Sequence, residues 1–465
     1  MLDRSPSARF TLATLTTLAS LGSPATAQDW ALRSFTTSPA GATFPRMAYD
    51  TQRARCVVFG GWNAPSGTIV FQETWEYDGA AWTLRAPATV PPERESHVMA
   101  YDSNRGKTVM FGGWDFNFNM LPGTWEWDGT DWTNTLPANA PGPRLLSAMT
   151  FDSGRNVIVL FGGSGVGGRV ADTWEYDGTN WNQIATAAPP SARESHVMAY
   201  DSARARTVLF GGRDANGLLG DTWEYDGANW TQIMPDGAPS PRVDAALVFD
   251  VQRARCVLFG GADNVFDLDE TWEYDGGGWR ELFTANRPQG NSALAMAYDR
   301  SRGQAVVFGG FDGAAAIADT FELGGNAATY RTFGTGCDGS NNLPPRLVPN
   351  AMPTLGSTTA VAIVDLPAVG GAVFVTAGFS ATIWNGMALP FDLGGFGLTG
   401  CRAYTSADAA LLVTHGGSTA NWSLALPSTP TLSGLVLFLQ ALSIDPAVAR
   451  PVPAAASNAA EMNVR

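Results

Sequence analysis

Apolar and polar positions follow one another in short blocks along most of this chain, and the blocks recur. In the copy that spans 195–233, residues 195–200 and 207–210 are largely apolar or β-branched, with a polar segment between them. Such blocks predict two short strands joined by a hairpin turn. A third strand, Thr222 to Tyr225, alternates polar with aromatic side chains, and Asp226-Gly227 is a strong hairpin signal before the fourth, residues 230–233. One copy therefore predicts a four-stranded antiparallel sheet.

The block occurs six times, and two motifs mark it. A Gly-Gly pair ends the second strand, where two glycines permit positive φ and a close approach of backbone. The pairs are 52, 50, 49, 49 and 49 residues apart and stand at 60–61, 112–113, 162–163, 211–212, 260–261 and 309–310. The third-strand motif Thr-Trp-Glu-aromatic-Asp-Gly begins at Thr74, Thr124, Thr173, Thr222 and Thr271, and returns in altered form at Thr320. Six units of about 49 residues are typical of a propeller with four-stranded blades.

These motifs resemble the Kelch repeat: a Gly-Gly pair ends the second strand, an aromatic-Asp pair ends the third, and a Trp opens the fourth. The resemblance covers about residues 30–333. It implies a six-bladed β-propeller whose blades run from inner to outer strand. Members of that family mostly bind proteins or glycans, and a minority are enzymes. The predicted fold class is therefore all-β, a Kelch-type propeller followed by a smaller antiparallel β-sandwich.

Three segments follow from the order of these patterns. Residues 1–27 combine Arg4 and Arg9 with an apolar stretch and an Ala-Thr-Ala site, which predicts a secretory signal peptide. Residues 28–333 form the propeller. The segment beginning at Trp30 resembles a fourth strand without its first three, so we expect it to close the last blade, with Tyr330 to Phe333 as the alternative closing edge.

Residues 334–465 carry few charges and no Gly-Gly repeat, and they predict a separate β-sandwich. This part also resembles a C-terminal module found after Kelch-like repeats in secreted bacterial proteins. Cys337 and Cys401 both lie in it, and an oxidising compartment favours a disulfide between them. Cys56 and Cys256 occupy the same strand position in the first and fifth blades, which are not neighbours, so they are predicted to be buried free thiols.

Composition restricts the partners. The net charge is −14 and the pI about 4.6, which argues against nucleic acid and anionic membrane surfaces. No apolar run is long enough to span a bilayer. We therefore expect a monomeric protein that is secreted, or periplasmic in a bacterial cell envelope, with protein or glycan as its partner.

The loops that follow the Gly-Gly pairs differ most between repeats, and strand alternation places them on one face, called here the loop face. A constant scaffold with variable loops is how propellers carry binding sites. Aromatic rings there could stack on sugars or anchor a protein, or could fold back over the loop cores. The candidate binding residues are Trp62, Phe71, Trp114, Phe116, Phe118, Arg169, Arg213, Asp214 and Phe266.

A second group lies near the starts of the inner strands and could surround a central pocket that holds an acidic ligand. Hydrogen bonds between linkers and strands are the favoured interpretation of the same residues. The group consists of Arg94, Glu95, His97, Arg144, Arg193, Glu194, His196 and Arg242. Asp263, Asp267 and Asp269 share one loop and could bind Ca²⁺, although a solvated acidic loop is favoured over a metal site. No other cofactor is expected, because two propeller histidines with no tyrosine beside them are too few for a copper centre.

The first functional hypothesis is a secreted, non-enzymatic binding protein that recognises protein or glycan through the loop face. Repetition without a concentrated catalytic set favours it, and no catalytic residue is assigned. The alternatives are a carbohydrate-processing enzyme (isomerase, lyase or oxidase) on the same scaffold, and a structural protein of the cell envelope.

Overall fold

The architecture is that of a computed structural model. It describes residues 29–63, 69–235, 237–284, 286–324, 329–333, 345–349, 358–366, 371–378, 383–384, 387–388, 391–392, 402–403, 409–415, 418–425, 436–444 and 454–463. Throughout these residues the regular structure is β-strand. Two compact units are distinguished, one of residues 30–279 and 286–324, and one that contains residues 280–285 and the part of the chain beyond 324.

The first unit consists of six antiparallel sheets, called blades 1 to 6, each ordered from inner to outer strand. Blade 1 is Arg46–Asp50, Arg55–Phe59, Thr74–Tyr77 and Trp82–Arg85; blade 2 is Val98–Asp102, Lys107–Phe111, Thr124–Trp127 and Trp132–Asn134. Blade 3 is Ala148–Asp152, Val157–Phe161, Thr173–Tyr176 and Trp181–Ile184; blade 4 is Val197–Asp201, Arg206–Phe210, Thr222–Tyr225 and Trp230–Ile233. Blade 5 is Ala246–Asp250, Arg255–Phe259, Thr271–Tyr274 and the strand Trp279–Phe283, and blade 6 is Ala295–Asp299, Gln304–Phe308, Thr320–Gly324 and Asp29–Arg33.

The six blades form a closed ring. Each inner strand contacts the inner strands of two neighbours, and Arg46–Asp50 of blade 1 contacts Ala295–Asp299 of blade 6. The outer strand of blade 6 comes from the other end of the propeller sequence, because Asp29–Arg33 pairs with Thr320–Gly324. The alternative closing segment lies elsewhere: Thr329–Phe333 groups with the second unit, where Arg331 pairs with Leu282.

Short two-residue strands decorate the loops. They are Arg144–Leu145, Ser164–Gly165, Gly168–Arg169, Arg213–Asp214 and Gly217–Leu218 in the first unit, and Ile383–Trp384, Met387–Ala388, Phe391–Asp392 and Arg402–Ala403 in the second. They extend the backbone pairing of the loop face beyond the blades.

The second unit is also antiparallel. Thr358–Val364 pairs with Arg346–Pro349 and with Ala420–Ala425. A second sheet runs in the order Thr329–Phe333, Ala454–Asn463, Val436–Ile444, Gly371–Gly378 and Ala409–His415. Leu347, Val361 and Ile363 of the first sheet share one buried cluster with Val373 and Met462 of the second. The sandwich stays a prediction, since several connections between these strands lie outside the described residues.

Neighbouring blades pack through apolar faces. Between blades 2 and 3, Val109 and Phe111 lie against Ile158, Leu160 and Trp181 in one buried cluster. Equivalent clusters lie at other blade boundaries. Each buried aromatic or aliphatic side chain stabilises its interface by about 1.5–3 kcal/mol, so one sheet alone would leave much of this free energy unrealised.

A buried hydrogen bond repeats at all six interfaces. The indole N–H of the Trp that opens each fourth strand donates to the hydroxyl of the Thr that opens the third strand of the preceding blade, at 2.8–3.1 Å. The pairs are Trp82–Thr320, Trp132–Thr74, Trp181–Thr124, Trp230–Thr173, Trp279–Thr222 and Trp30–Thr271. The motif residues Thr and Trp thus serve the same bond, one on each side of the interface.

The repeated Glu has a structural partner set as well. In blade 1, Arg53 donates to Asp50 at 2.7 Å and to Glu76 at 2.6 Å, and Trp127 of blade 2 donates to Glu76 at 3.0 Å. Tyrosine hydroxyls replace that indole at four other interfaces, at 2.8–3.0 Å. The six carboxylates therefore join blades and present no ligand site.

The turn arginines of this contact differ from those the sequence pattern suggested. Arg155 takes part, but Arg55, Arg206 and Arg255 do not: Arg55 lies 3.9 Å from Asp78, and Arg206 donates to the Ala205 carbonyl. The participating residues are Arg53, Arg105, Arg155, Arg204, Arg253 and Arg302. Each lies three positions after an Asp whose carboxylate caps the turn, which brings the guanidinium back beside the sheet.

The Gly-Gly pairs connect each blade to the next linker. Gly60 has φ +68, and a Cβ there would lie 2.3 Å from the Arg94 carbonyl oxygen. The second glycine donates its N–H to a linker carbonyl of the next blade at 2.8–2.9 Å in all six copies, and Gly310 donates to Ala42 across the closure. Larger residues cannot occupy these positions without moving the linker.

Some predictions fall outside the described residues. These are the signal peptide at 1–27 and the pairing of Cys337 with Cys401. Cys56 and Cys256 are free and buried, and burial raises the pKa of both thiols.

Ring closure by the N-terminal strand gives a stability prediction. Trp30 is 1% exposed and Leu32, on the same strand, is 56% exposed. Trp30→Ala should cost about 3–5 kcal/mol because it empties a buried site, whereas Leu32→Ala should stay within about 0.5 kcal/mol of the parent. Denaturant midpoints of the two variants measure the difference. Equal midpoints would contradict closure through this strand.

Candidate binding site

Apolar side chains are exposed on the loop face. Ile69, Phe116, Phe118, Val166 and Phe266 are between 45% and 87% exposed, and all lie in loops that follow Gly-Gly pairs. Exposed apolar groups gathered on one face mark interaction surfaces more often than isolated ones do.

The loops of blades 1 and 2 enclose a cavity of about 460 Å³, called here the aromatic pocket. Its walls are Trp62, Val70, Glu95, Trp114, Asp115, Phe116, Asn117 and Phe118. Backbone bridges set the two indoles in equivalent places: Trp62 pairs with Thr43 and Val70, and Trp114 pairs with Glu95 and Met120. Four candidates from the sequence therefore meet at one site.

The blade-2 loop is held in shape by its own hydrogen bonds. The Asp115 carboxylate accepts the backbone N–H groups of Asn117 and Asn119, each at 2.9 Å, and the Asn119 amide at 3.0 Å. Phe118 has φ +60, a costly conformation for a bulky side chain, and packs edge-on to Trp114 with centroids 5.3 Å apart. The loop thus holds a 73% exposed ring in one place.

Glu95 supplies a buried carboxylate to the pocket. It accepts the Trp114 indole N–H and, at 2.7 Å, the Ser96 hydroxyl. Burial raises the pKa of Glu95, while these two hydrogen bonds and the charge of Arg46 act in the opposite direction. Its surroundings are apolar, because it is 7% exposed among four aromatic rings.

The other loop-face candidates lie apart from this pocket. Arg169 pairs with Glu194 at 2.5 Å, and Arg213 shares a backbone bridge with the same Glu194. Asp214 caps its own turn by accepting the Asn216 N–H at 2.7 Å. Phe71 is half-buried beside Trp75, and Phe266 is exposed on the blade-5 loop.

The predicted pocket arginines bind backbone instead of facing the axis. Each is at most 5% exposed and donates to the carbonyl of the first glycine in the next Gly-Gly pair, at 3.0–3.1 Å. They are Arg94, Arg144, Arg193 and Arg242. Arg144 and Arg193 also pair with Asp172 and Asp221. They therefore fix the linkers, which was the favoured interpretation.

The propeller axis holds two small cavities, of about 110 and 190 Å³. Both are lined by one equivalent residue from each inner strand, so these six residues form a collar between them. The collar is Met47, Met99, Met149, Met198, Leu247 and Met296. Sites for small ligands usually measure about 300–1,000 Å³, a range that the aromatic pocket reaches and the axial cavities do not.

The mouth of the 110 Å³ cavity contains charges that repeat matching alone did not identify. Arg46 and Asp244 line it, together with Ser147, Ser195 and His196. Burial raises the pKa of Asp244 to about 6, opposed by Ser195 and Arg46. The available signal was a departure from the repeat: Arg46 starts an inner strand where the other copies have Val or Ala.

The two propeller histidines are buried and uncharged. Neither ring nitrogen of His97 or His196 has a hydrogen-bond partner, and the rings lie edge-on to Phe59 and Phe161. Burial, reinforced by nearby arginines, lowers the pKa of His97 well below its usual value and that of His196 to about 3. They serve as packing groups.

The acidic loop of blade 5 does not converge on a point. Asp263 accepts the N–H groups of Val265 and Phe266, and Asp269 lies 3.5 Å from Arg287. Asp267 belongs to a backbone bridge with Ala262. Over the described part of the chain, no three His, Cys, Asp or Glu side chains are placed to hold a metal ion. Among the same residues, no helix is long and apolar enough to cross a membrane.

The buried histidines predict a pH-dependent stability. The folded pKa of His196, about 3, lies below its unfolded value near 6.5, so the unfolded state binds the proton first. This contribution is complete above pH 6.5 and is lost as the pH falls towards 3. Between pH 7 and 4.5, His196→Leu should therefore lose about 2–3 kcal/mol less stability than the parent.

Denaturant unfolding at the two pH values measures this. Leu294 occupies the equivalent position in blade 6, so the substitution has a precedent within the ring. Met198→Leu, which lines the same cavity and removes no titrating group, is the control. Parallel pH profiles for the parent and His196→Leu would contradict the assignment.

One family model, described as the KLHDC2/KLHL20/DRC7 Kelch-repeats domain, matches residues 46–239 and, in a second alignment, residues 126–310. Together the two matches cover more than half of the chain. Comparison with curated individual proteins gave no match. Kelch repeats build propellers that serve as protein-binding scaffolds, and the six blades fit that description. The chain belongs to the Kelch-repeat family.

Proposed function

We propose that this chain is a secreted, non-enzymatic binding protein whose aromatic pocket anchors a partner protein. The observation that carries the proposal is the meeting of Trp62, Trp114, Phe116 and Phe118 around one cavity on the loop face. Aromatic residues dominate the energetics of protein interfaces because each buries a large area with little loss of conformational freedom.

Two further features support binding over catalysis. The loop that carries Phe116 and Phe118 is fixed by Asp115 before any partner arrives, so less conformational entropy is lost on association. The polar candidates near the axis are committed to backbone contacts, as Arg94 and Arg193 show. Secretion is part of the proposal on the basis of the leader pattern in residues 1–27.

The test begins with ligand selection. Purified protein is screened against a displayed-peptide library and a glycan array, and the affinity of each selected ligand is measured by calorimetry. Phe118→Asn should weaken binding of a selected peptide at least about tenfold, because asparagine tolerates the left-handed backbone but removes the ring. Leu84→Ser is the matched control, since Leu84 is 50% exposed on an outer strand away from the loops.

Two results would contradict the proposal. One is a set of selected ligands whose affinity depends on Leu84 and is unchanged by Phe118→Asn. The other is turnover of a carbohydrate by the purified protein. Selection of glycans alone would replace the protein partner with a sugar.

A further inference from the structure

We propose that the aromatic pocket receives a cationic side chain, lysine or arginine, of the partner protein. The inference rests on the proposed function and names the chemistry that the same pocket would recognise. Aromatic walls alone would suit any apolar or flat ligand. The polar atoms among those walls make the distinction.

The charged groups of the pocket are both anionic. Its lining includes the carboxylates of Glu95 and Asp115, and no lysine or arginine. The Trp114 indole N–H points to Glu95 and is therefore not offered to a ligand. Apart from the Asn117 amide, the polar side chains of the lining thus present acceptors. A sugar hydroxyl needs donors and acceptors in comparable measure, whereas an ammonium or guanidinium group only donates.

A second copy of the same motif shows what Glu95 lacks. Glu194 of blade 4 stands in the identical Arg-Glu-Ser-His context, and there the chain supplies its own cation, Arg169, at 2.5 Å. The hydrogen-bond donors to the Glu95 carboxylate, Ser96 and Trp114, are both neutral. A ligand cation in the aromatic pocket would take the place that Arg169 takes in blade 4.

Arg46 does not fill that place. Its charge acts on Glu95, but its guanidinium donates to the carbonyls of His97 and Pro45, at 2.9 and 3.1 Å. Arg46 lines the axial cavity and is not among the residues of the aromatic pocket.

The rings themselves favour the same ligand. The face of an indole or phenyl ring carries negative charge density and attracts a cation placed over it, most strongly when water is excluded. Trp62, Trp114 and Phe118 surround the cavity beside the two carboxylates. The net charge of −14 adds a long-range attraction for basic partners at low ionic strength.

The test compares ligands that differ in charge and little else. Nα-acetyl-lysine methylamide and Nα-acetyl-arginine methylamide are titrated into the ¹⁵N-tryptophan-labelled protein, with the neutral norleucine analogue as reference. Changes in the Trp62 and Trp114 indole signals give the dissociation constants. The basic compounds should bind at least tenfold more tightly than the norleucine compound, and added NaCl should reduce only their advantage.

Matched variants identify the carboxylate. Glu95→Gln keeps an acceptor for Trp114 and should reduce the preference for the basic compounds at least fivefold. Glu194→Gln, which breaks the ion pair with Arg169 outside the pocket, should leave the preference unchanged. Since Glu95 is buried, Asp115→Asn provides a second, exposed variant and should also reduce the preference.

The possible outcomes separate the two proposals. Equal binding of the norleucine and lysine compounds, or tighter binding of methyl glycosides at the same indoles, overturns the cationic ligand and leaves the pocket as the binding site. An unchanged preference in both Glu95→Gln and Asp115→Asn also overturns it. Failure of every compound to shift Trp62 or Trp114, with peptide binding insensitive to Phe118→Asn, overturns the proposed function as well.

Discussion

Every blade of this propeller depends on a hydrogen bond made to another blade. The buried indole N–H of Trp132 would have no acceptor without Thr74 of the preceding sheet, and an unsatisfied buried donor costs about 1–3 kcal/mol. The same relation holds from Trp181 to Thr124 and, across the closure, from Trp82 to Thr320. A single blade is therefore incomplete in both its polar and its apolar contacts, and the ring is the smallest complete unit.

This dependence explains where sequence variation is tolerated. The Gly-Gly pairs, the Thr-Trp-Glu strands and the Asp-x-x-Arg turns all touch a neighbouring strand or blade, so their identities are fixed by contact. The loops after the Gly-Gly pairs have fewer such obligations. In blades 1 and 2 those loops carry Trp62, Phe116 and Phe118, and a carboxylate from the linker, Glu95, completes the pocket. The linker holds this carboxylate close to the frame, whereas the aromatic rings sit on the variable part.

The fold could be predicted from the sequence because each repeated motif serves a repeated contact, and the six-bladed, all-β architecture is confirmed. The site was less accessible. Trp114 and Phe118 were candidates for their residue type, but only the folded loops bring them to the cavity beside Glu95. Arg94 and Arg193 were ambiguous because an arginine beside a strand can face a ligand or a carbonyl, and the backbone geometry decides. Arg46 was overlooked because only a comparison of all six copies shows it as an exception.

Hydrogen exchange of the six linker-bonded glycine amides tests the closed ring most directly. These are Gly61, Gly113, Gly163, Gly212, Gly261 and Gly310, each donating to the linker of the next blade. If the ring opens only as a whole, all six should exchange with the same free energy, equal to that of global unfolding. Much faster exchange at Gly310 alone would show that blades 6 and 1 separate independently, which would contradict a closed ring.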